Sequence, residues 1–298
     1  MRSGLWARIL VSMLLAADAA SAAETLGLRP RLETGDAYAL SLSVLTETEA
    51  FSKGVAGERY EETVRIVYAA AVTVLEVDDS GRPLRERHDR ASLTFERPGE
   101  SGSLFKESVT LEVERKEGLE VRLGGRRVEA RIERLVSDVL EKQFEHTLEP
   151  AFLDPGRSVE VGESWLPDEH LAKRFLASRG IRVVDFAEGA SARLVRDAEN
   201  EGALVIDYEI PISRFELAKM PSNAMASNSE ATLEGRVRLA AEPREGPVLT
   251  KTHLAFRLNG ISRTTAQSLP WHLRSSVTVE RSSQRSQDVA LSELRPSP

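Results

Sequence analysis

The 298-residue sequence contains no cysteine. That absence excludes disulfide frameworks, thiolate nucleophiles, Cys-ligated zinc, iron–sulfur clusters and the lipidated cysteine of a bacterial lipoprotein. Aromatic residues are sparse at 5% and histidine occurs five times, so little of the usual material for acid–base and metal chemistry is present. No apolar run approaches the ~18 residues of a membrane-spanning helix. Asn223, Asn228 and Asn259 are followed two positions on by Met225, Glu230 and Ile261, so none is an Asn-x-Ser/Thr acceptor. Together with the missing cysteine, this composition leans towards a bacterial envelope rather than a eukaryotic secretory origin.

What is there is ordinary globular material: 41% hydrophobic and 29% charged residues, with 19 glycines and 13 prolines. The formal net charge of −7 repels phosphate backbones, and no basic run is dense enough to offset it, so nucleic acid is not an expected partner. Residues 1–22 have the three parts of a signal peptide: Arg2 and Arg8, the apolar stretch Ile9–Ala17, and the small residues Ala20, Ser21 and Ala22. The expectation is an exported, soluble, non-lipidated protein of the periplasm or extracellular space, with no membrane span once the signal is removed.

Period-two alternation dominates the rest and predicts a mainly β fold. Tyr38, Leu40, Leu42 and Val44 alternate with smaller or polar residues, and the same rhythm runs from Val64 to Val74, which requires a tall or strongly curved sheet. A third strand is expected over Leu84–Phe95. Val109–Glu114 and Leu119–Leu123 flank Lys116-Glu117-Gly118 as a hairpin. The period then changes: Ile132, Leu135, Val136, Val139, Leu140 and Phe144 recur at helical spacing, predicting an amphipathic helix over 129–145 that covers one face of the sheet. Pro150, Pro155 and Gly156 break the chain.

A second β-rich half follows. The predicted organisation is a signal over 1–22, one half over 23–156 and another over 157–298; Val161-Gly162-Glu163-Ser164-Trp165 echoes Thr34-Gly35-Asp36-Ala37-Tyr38, which leaves open both a duplication and a chance match of four positions. The second half is expected to hold a short helix near Asp168–Ser178, a hairpin over Ala192–Ile210, and strands near Thr232–Leu239, Val248–Leu258 and Ser275–Ser286. The Ser/Asn/Ala-rich stretch Met220–Ser229 reads as a loop, or as a flap whose methionines adapt to an apolar ligand.

No constellation of reactive groups stands out. Alternation puts His88 on the face of Glu86 and Arg90, and His253 on the face of Lys251 and Arg257, both towards water. His146 follows the helix, His272 stands beside Trp271, and His170 sits behind Asp168, which is better placed to cap a helix than to pair with an imidazole. Neither Gly162–Leu166 nor Gly189–Arg193 completes a nucleophile elbow, and phosphate, dinucleotide and zinc-protease motifs are absent. The expectation is a non-enzyme with no catalytic, metal or cofactor residues.

The opening Gly35-Asp36-Ala37-Tyr38, the midway helix, the re-entry at Val161–Trp165, and Glu234-Gly235 and Glu245-Gly246 near the closing strands resemble a group of uncharacterised bacterial envelope proteins. Their sheets are similar to the curved half-barrel of lipoprotein carriers of the LolA and LppX kind. The resemblance implies a long antiparallel sheet wrapped around a helix, with an apolar hollow that can take an acyl chain. It implies no catalytic residues. On this reading the protein binds a lipid or other hydrophobic small molecule, with Trp165, Phe175, Met220 and Trp271 as ligand-lining candidates. The alternative for those four side chains is that they fill a core. The alternative for the protein is an adaptor that contacts another envelope protein through a sheet edge.

Overall fold

The computed structural model describes Leu26, Leu28, residues 31–52, 59–105, 107–115, 119–130, 149–198, 203–218, 220, 224–241, 247–263 and 268–285, together with Ile132, Glu133, Val136, Val139 and Leu140. The signal segment over 1–22 lies outside these residues, as do His146 and the end of the predicted helix. The strands are β1 (Ala37–Ser52), β2 (Arg59–Val77), β3 (Pro83–Arg97), β4 (Glu100–Ser103), β5 (Val109–Glu114), β6 (Glu120–Leu123), β7 (Arg126–Arg127), β8 (Ser164–Trp165), β9 (Ile181–Phe186), β10 (Ser191–Arg196), β11 (Leu204–Leu217), β12 (Ala224–Leu239), β13 (Pro247–Arg263) and β14 (Ser268–Arg285). Of the helical segments among the described residues, α1 (Glu149–Leu153) lies between the halves and α2 (Glu169–Ser178) after β8.

All fourteen strands belong to one antiparallel sheet, curved like a half-barrel and not closed. Its order is β7-β6-β5-β3-β2-β1-β14-β13-β12-β11-β10-β8, with β4 beside β3 and β9 beside β11. The first and last strands therefore meet in the middle, in register from Tyr38 opposite Arg285 to Ser52 opposite Trp271. The main path ends in β7 and β8, each two residues long, while β4 and β9, four and six residues long, each pair on one side only among the described residues and carry the longer outer edges.

Alternation builds the core as expected. Leu40, Leu42 and Val44 on β1 and Tyr68, Ala70, Val72 and Val74 on β2 are buried on one face. Val136, Val139 and Leu140 are helical and buried in the same cluster, so this part of the predicted helix covers the sheet there. A second cluster gathers Phe152, Phe175, Leu176, Tyr208, Ile210 and Leu233 around α1 and α2. Asp168 caps α2 as anticipated, its carboxylate accepting from the Leu171 amide at 2.9 Å.

The Gly-acid echo between the halves is a shared turn. Gly35 donates to Val74 O at 2.8 Å and Gly162 to Leu194 O at 2.7 Å. Asp36 O accepts from Val74 N at 2.8 Å, as Glu163 O does from Leu194 N at 3.1 Å. Each acid side chain also accepts from the amide three residues earlier, Glu33 or Glu160, at 2.9 Å. Both glycines have positive φ, 98° and 94°, which explains why each turn carries glycine.

Three expectations are corrected. Most of the stretch Met220–Ser229 is strand rather than loop, because β12 begins at Ala224 and pairs with β13 along its length. Ser229 is buried there and accepts from the Phe215 amide at 2.9 Å, next to the point where β11 shifts register against β9. Pro150 does not break the chain: it sits in the first turn of α1, where its missing N–H costs no helical bond. The third correction, His88, belongs to the site.

Candidate functional site

The phase of β3 changes at Arg90, the one non-glycine residue with positive φ (53°) among the described residues. The register of β3 slips there against both neighbours, between Ala69 and Ala71 on β2 and between His88 and Ala91 on β3. A bulge inserts one residue and reverses which side chains face the core. Ala91 and Leu93 are buried beyond it, and Glu86 and His88 are buried before it, both with no exposed surface. His88 therefore points into the core and not into water. Extrapolating the alternation back from Leu93 fails because nothing in Asp89-Arg90 marks the extra residue.

Burial forces these polar groups onto one another. Tyr38 donates to Glu86 Oε1 at 2.6 Å, and Arg115 donates to Glu86 Oε2 at 2.5 Å. His88 Nε2 lies 3.3 Å from Glu86 Oε2, and His88 Nδ1 lies 2.7 Å from the Tyr68 hydroxyl. Burial alone would raise the Glu86 carboxyl, but the His88 hydrogen bond and the Arg115 charge, helped by Tyr38, hold it well below the ordinary carboxylate range. Burial, with the Glu86 charge added, pushes both Tyr38 and Tyr68 above the ordinary phenol value. With Nε2 donating to the carboxylate, Nδ1 accepts from Tyr68, and every heteroatom of the imidazole and carboxylate is engaged.

A carboxylate, an imidazole and a hydroxyl in sequence is an arrangement that hydrolases use. Here both phenols stay protonated and the group is sealed. A crevice of about 30 Å³ bounded by Leu32, Asp36, Val248 and Arg285 touches Tyr38 but neither Glu86 nor His88. The network locks β1, β2, β3 and the end of β5 together.

A much larger hollow, about 790 Å³, opens elsewhere on the sheet. It centres on a transverse row with one residue from each of six successive strands: Glu62, Thr48, Ser275, Phe256, Ala231 and Ile212. Thr48 and Ser275, 227 residues apart in sequence, are hydrogen-bonded at 3.1 Å, and Ser275 donates to Glu47 O at 3.0 Å. Ile212, Ala231 and Phe256 give the row an apolar β11–β13 end, and Glu62 stands at its β2 end. Pro211, Thr232, Ala255, Ser276 and Glu47 pair in the alternate row and project from the opposite face of the sheet. The volume lies in the range typical of small-molecule sites.

The four ligand-lining candidates do not line this hollow. Trp165 and Phe175 are buried in the second core cluster, with Trp165 Nε1 donating to Leu153 O at 2.8 Å. Trp271 is half-buried against that cluster and lies over Gly260. Met220 is half-buried just ahead of β12. Of the other histidines, His170 is exposed on α2, and His272 is exposed but stacked on Phe51 with centroids 5.2 Å apart. His253 is half-buried rather than free in water, its Nδ1 2.9 Å from Thr278 Oγ1.

No known protein family and no curated protein matches the sequence. Among solved structures, a lipovitellin described for its lipid–protein interactions aligns over 87% of this chain and 26% of its own, at 6% identity and a TM-score of 0.35. A LolA superfamily protein from Nitrosomonas europaea aligns over 87% of this chain and 90% of its own, at 7% identity and a TM-score of 0.14. The toluene transporter TodX of P. putida aligns over 87% and 93%, at 9% identity and a TM-score of 0.15. This chain spans about a quarter of the lipovitellin it aligns with.

Proposed function

We propose that this is a non-catalytic, exported envelope protein that holds a lipid-like or other amphiphilic small molecule in the hollow of its curved sheet. The observation that carries this reading is the hollow itself: about 790 Å³ of open space across six strands, with an apolar end around Phe256 and Ile212. The sealed state of Glu86 and His88 supports a holder over a hydrolase, since no substrate reaches this carboxylate–imidazole pair hydrogen-bonded within the core. Export rests on the composition of residues 1–22. Among the described residues no helix is long and apolar enough to cross a membrane.

The test is titration of the folded protein with N-phenyl-1-naphthylamine, an uncharged apolar fluorophore. Saturable enhancement is expected, and it should be lost when bulk enters the hollow in Thr48→Trp and Ala231→Trp variants with unchanged circular dichroism. Absence of saturable uptake, or uptake unaffected by both variants, overturns the reading. A structural adaptor would give the first result, and the outer side of β9, which among the described residues pairs only with β11, is the longest backbone edge it could use.

A further inference from the structure

Resting on that reading of the hollow, we infer that its occupant carries an extended, unbranched alkyl chain of about sixteen to eighteen carbons, lying across the strands rather than along them. The shape of the lining sets this direction. Glu62, Thr48, Ser275, Phe256, Ala231 and Ile212 are partners in register from β2 to β11 and project from one face of the sheet. Five steps between strands at about 4.8 Å each make the row about 24 Å long, measured around the curve.

Along the strands the hollow is short. On β1, β2, β11, β13 and β14 its lining is three consecutive residues centred on the row, about 7 Å from first to last. The outer two of each three project from the opposite face, so it is their backbone that meets the hollow, left uncovered by the short side chains of Thr48, Ser275 and Ala231. The next residues on the row's own face close it along β12 and β13: Leu233 and Leu254 are buried on one side, Ser229 and Leu258 on the other. A space about three times as long across the strands as along them admits a linear molecule in that direction. C–C bonds of about 1.5 Å at tetrahedral angles advance an extended chain by about 1.25 Å per carbon, so the row holds about nineteen chain atoms, the first of them belonging to a head group. Ile212, Ala231 and Phe256 take the end of the tail, and the head lies by the hydroxyls of Thr48 and Ser275 and the Glu62 carboxylate. Ala187 also lines the hollow and stands at its β11 end, its amide donating to Pro211 O at 3.0 Å.

The experiment takes lysophosphatidylcholines with saturated chains of increasing length, below their micelle concentrations, as displacers of N-phenyl-1-naphthylamine from the full chain. Affinity should rise about fourfold per methylene up to about sixteen to eighteen carbons and then level off. A tail lying along the strands would outgrow the hollow at about six carbons. In Ala187→Trp, which fills the β11 end, the levelling point should fall by about four carbons, one strand spacing, while short chains bind as before. Levelling at about twelve carbons or fewer in the parent, or a rise that continues to about twenty, overturns the transverse chain and leaves the holder reading standing. So does a levelling point unmoved in an Ala187→Trp protein with the parent's circular dichroism, and the parent series decides by itself if that variant does not fold. Failure of the naphthylamine probe to bind at all removes the holder reading and this one with it.

Discussion

The Tyr68 hydroxyl and His88 Nδ1 lie 2.7 Å apart on neighbouring strands, with both side chains fully buried. Their meeting closes a chain of hydrogen bonds that runs from Tyr38 through Glu86 to His88 and carries one formal ion pair, Arg115–Glu86. Such an interior network stabilises only while it is complete, because each remaining member becomes an uncompensated buried group when a partner leaves.

Arg115→Met should therefore destabilise the fold by about 3–5 kcal/mol, since it leaves the Glu86 carboxylate buried without its cation. Adding Glu86→Leu to the same chain should recover part of that loss. Urea unfolding of the two variants beside the parent measures both; a double variant weaker than the single one would contradict the account.

The pH dependence follows from the depressed Glu86 carboxyl. Between its folded and unfolded values the unfolded chain binds more protons, so stability rises with pH across that window. The contribution is fully present above the unfolded value of about 4.3 and is lost as pH falls towards the lower folded one. The gap in urea midpoint between parent and Glu86→Gln is expected to be constant from neutral pH down to about 5 and to narrow in more acid solution. A gap that widens with acid would show the opposite sign.

Arg90 holds a left-handed backbone that glycine adopts without a Cβ penalty. Arg90→Gly should leave stability unchanged or raise it by up to about 1 kcal/mol, whereas Arg90→Val should lower it by more than that. Thermal midpoints of the pair decide the matter, and equal loss in both would mean that the guanidinium, not the bulge, is what the position needs.

Gly260 lies beneath Trp271, and a Cβ there would come within 2.2 Å of Met225 O and 2.5 Å of the indole ring. Gly260→Ala should cost about 1–3 kcal/mol or more by forcing β12 and Trp271 outward. Loss of Trp271 near-ultraviolet dichroism should accompany the drop in midpoint, and an unshifted spectrum would count against this packing.

Much of the fold was legible because strand alternation and capping are local. Leu40-Leu42-Val44 announces a buried face, the Asp168 cap follows from its side chain, and the Gly35-Asp36 and Gly162-Glu163 echo marks a turn that only glycine enters easily. The candidate site was much less legible. His88 was misassigned because the bulge at Arg90 has no residue signature, and Arg115 reads as an ordinary hairpin arginine until β5 is laid against β3. The Ser/Asn-rich run before Ser229 resembles a loop because its side chains are small, yet β13 supplies its hydrogen bonds.

By itself, then, the sequence determined the β class, the covering helix at Val136–Leu140 and the two opening turns, since each depends on neighbours within a few residues. Only the tertiary structure decided that β1 pairs with β14, that Glu86 and His88 face inward, and that Thr48 and Ser275 join across 227 residues to floor a hollow. Those outcomes depend on register between distant strands, and a one-residue shift in register exchanges the two faces of a strand without altering a local pattern.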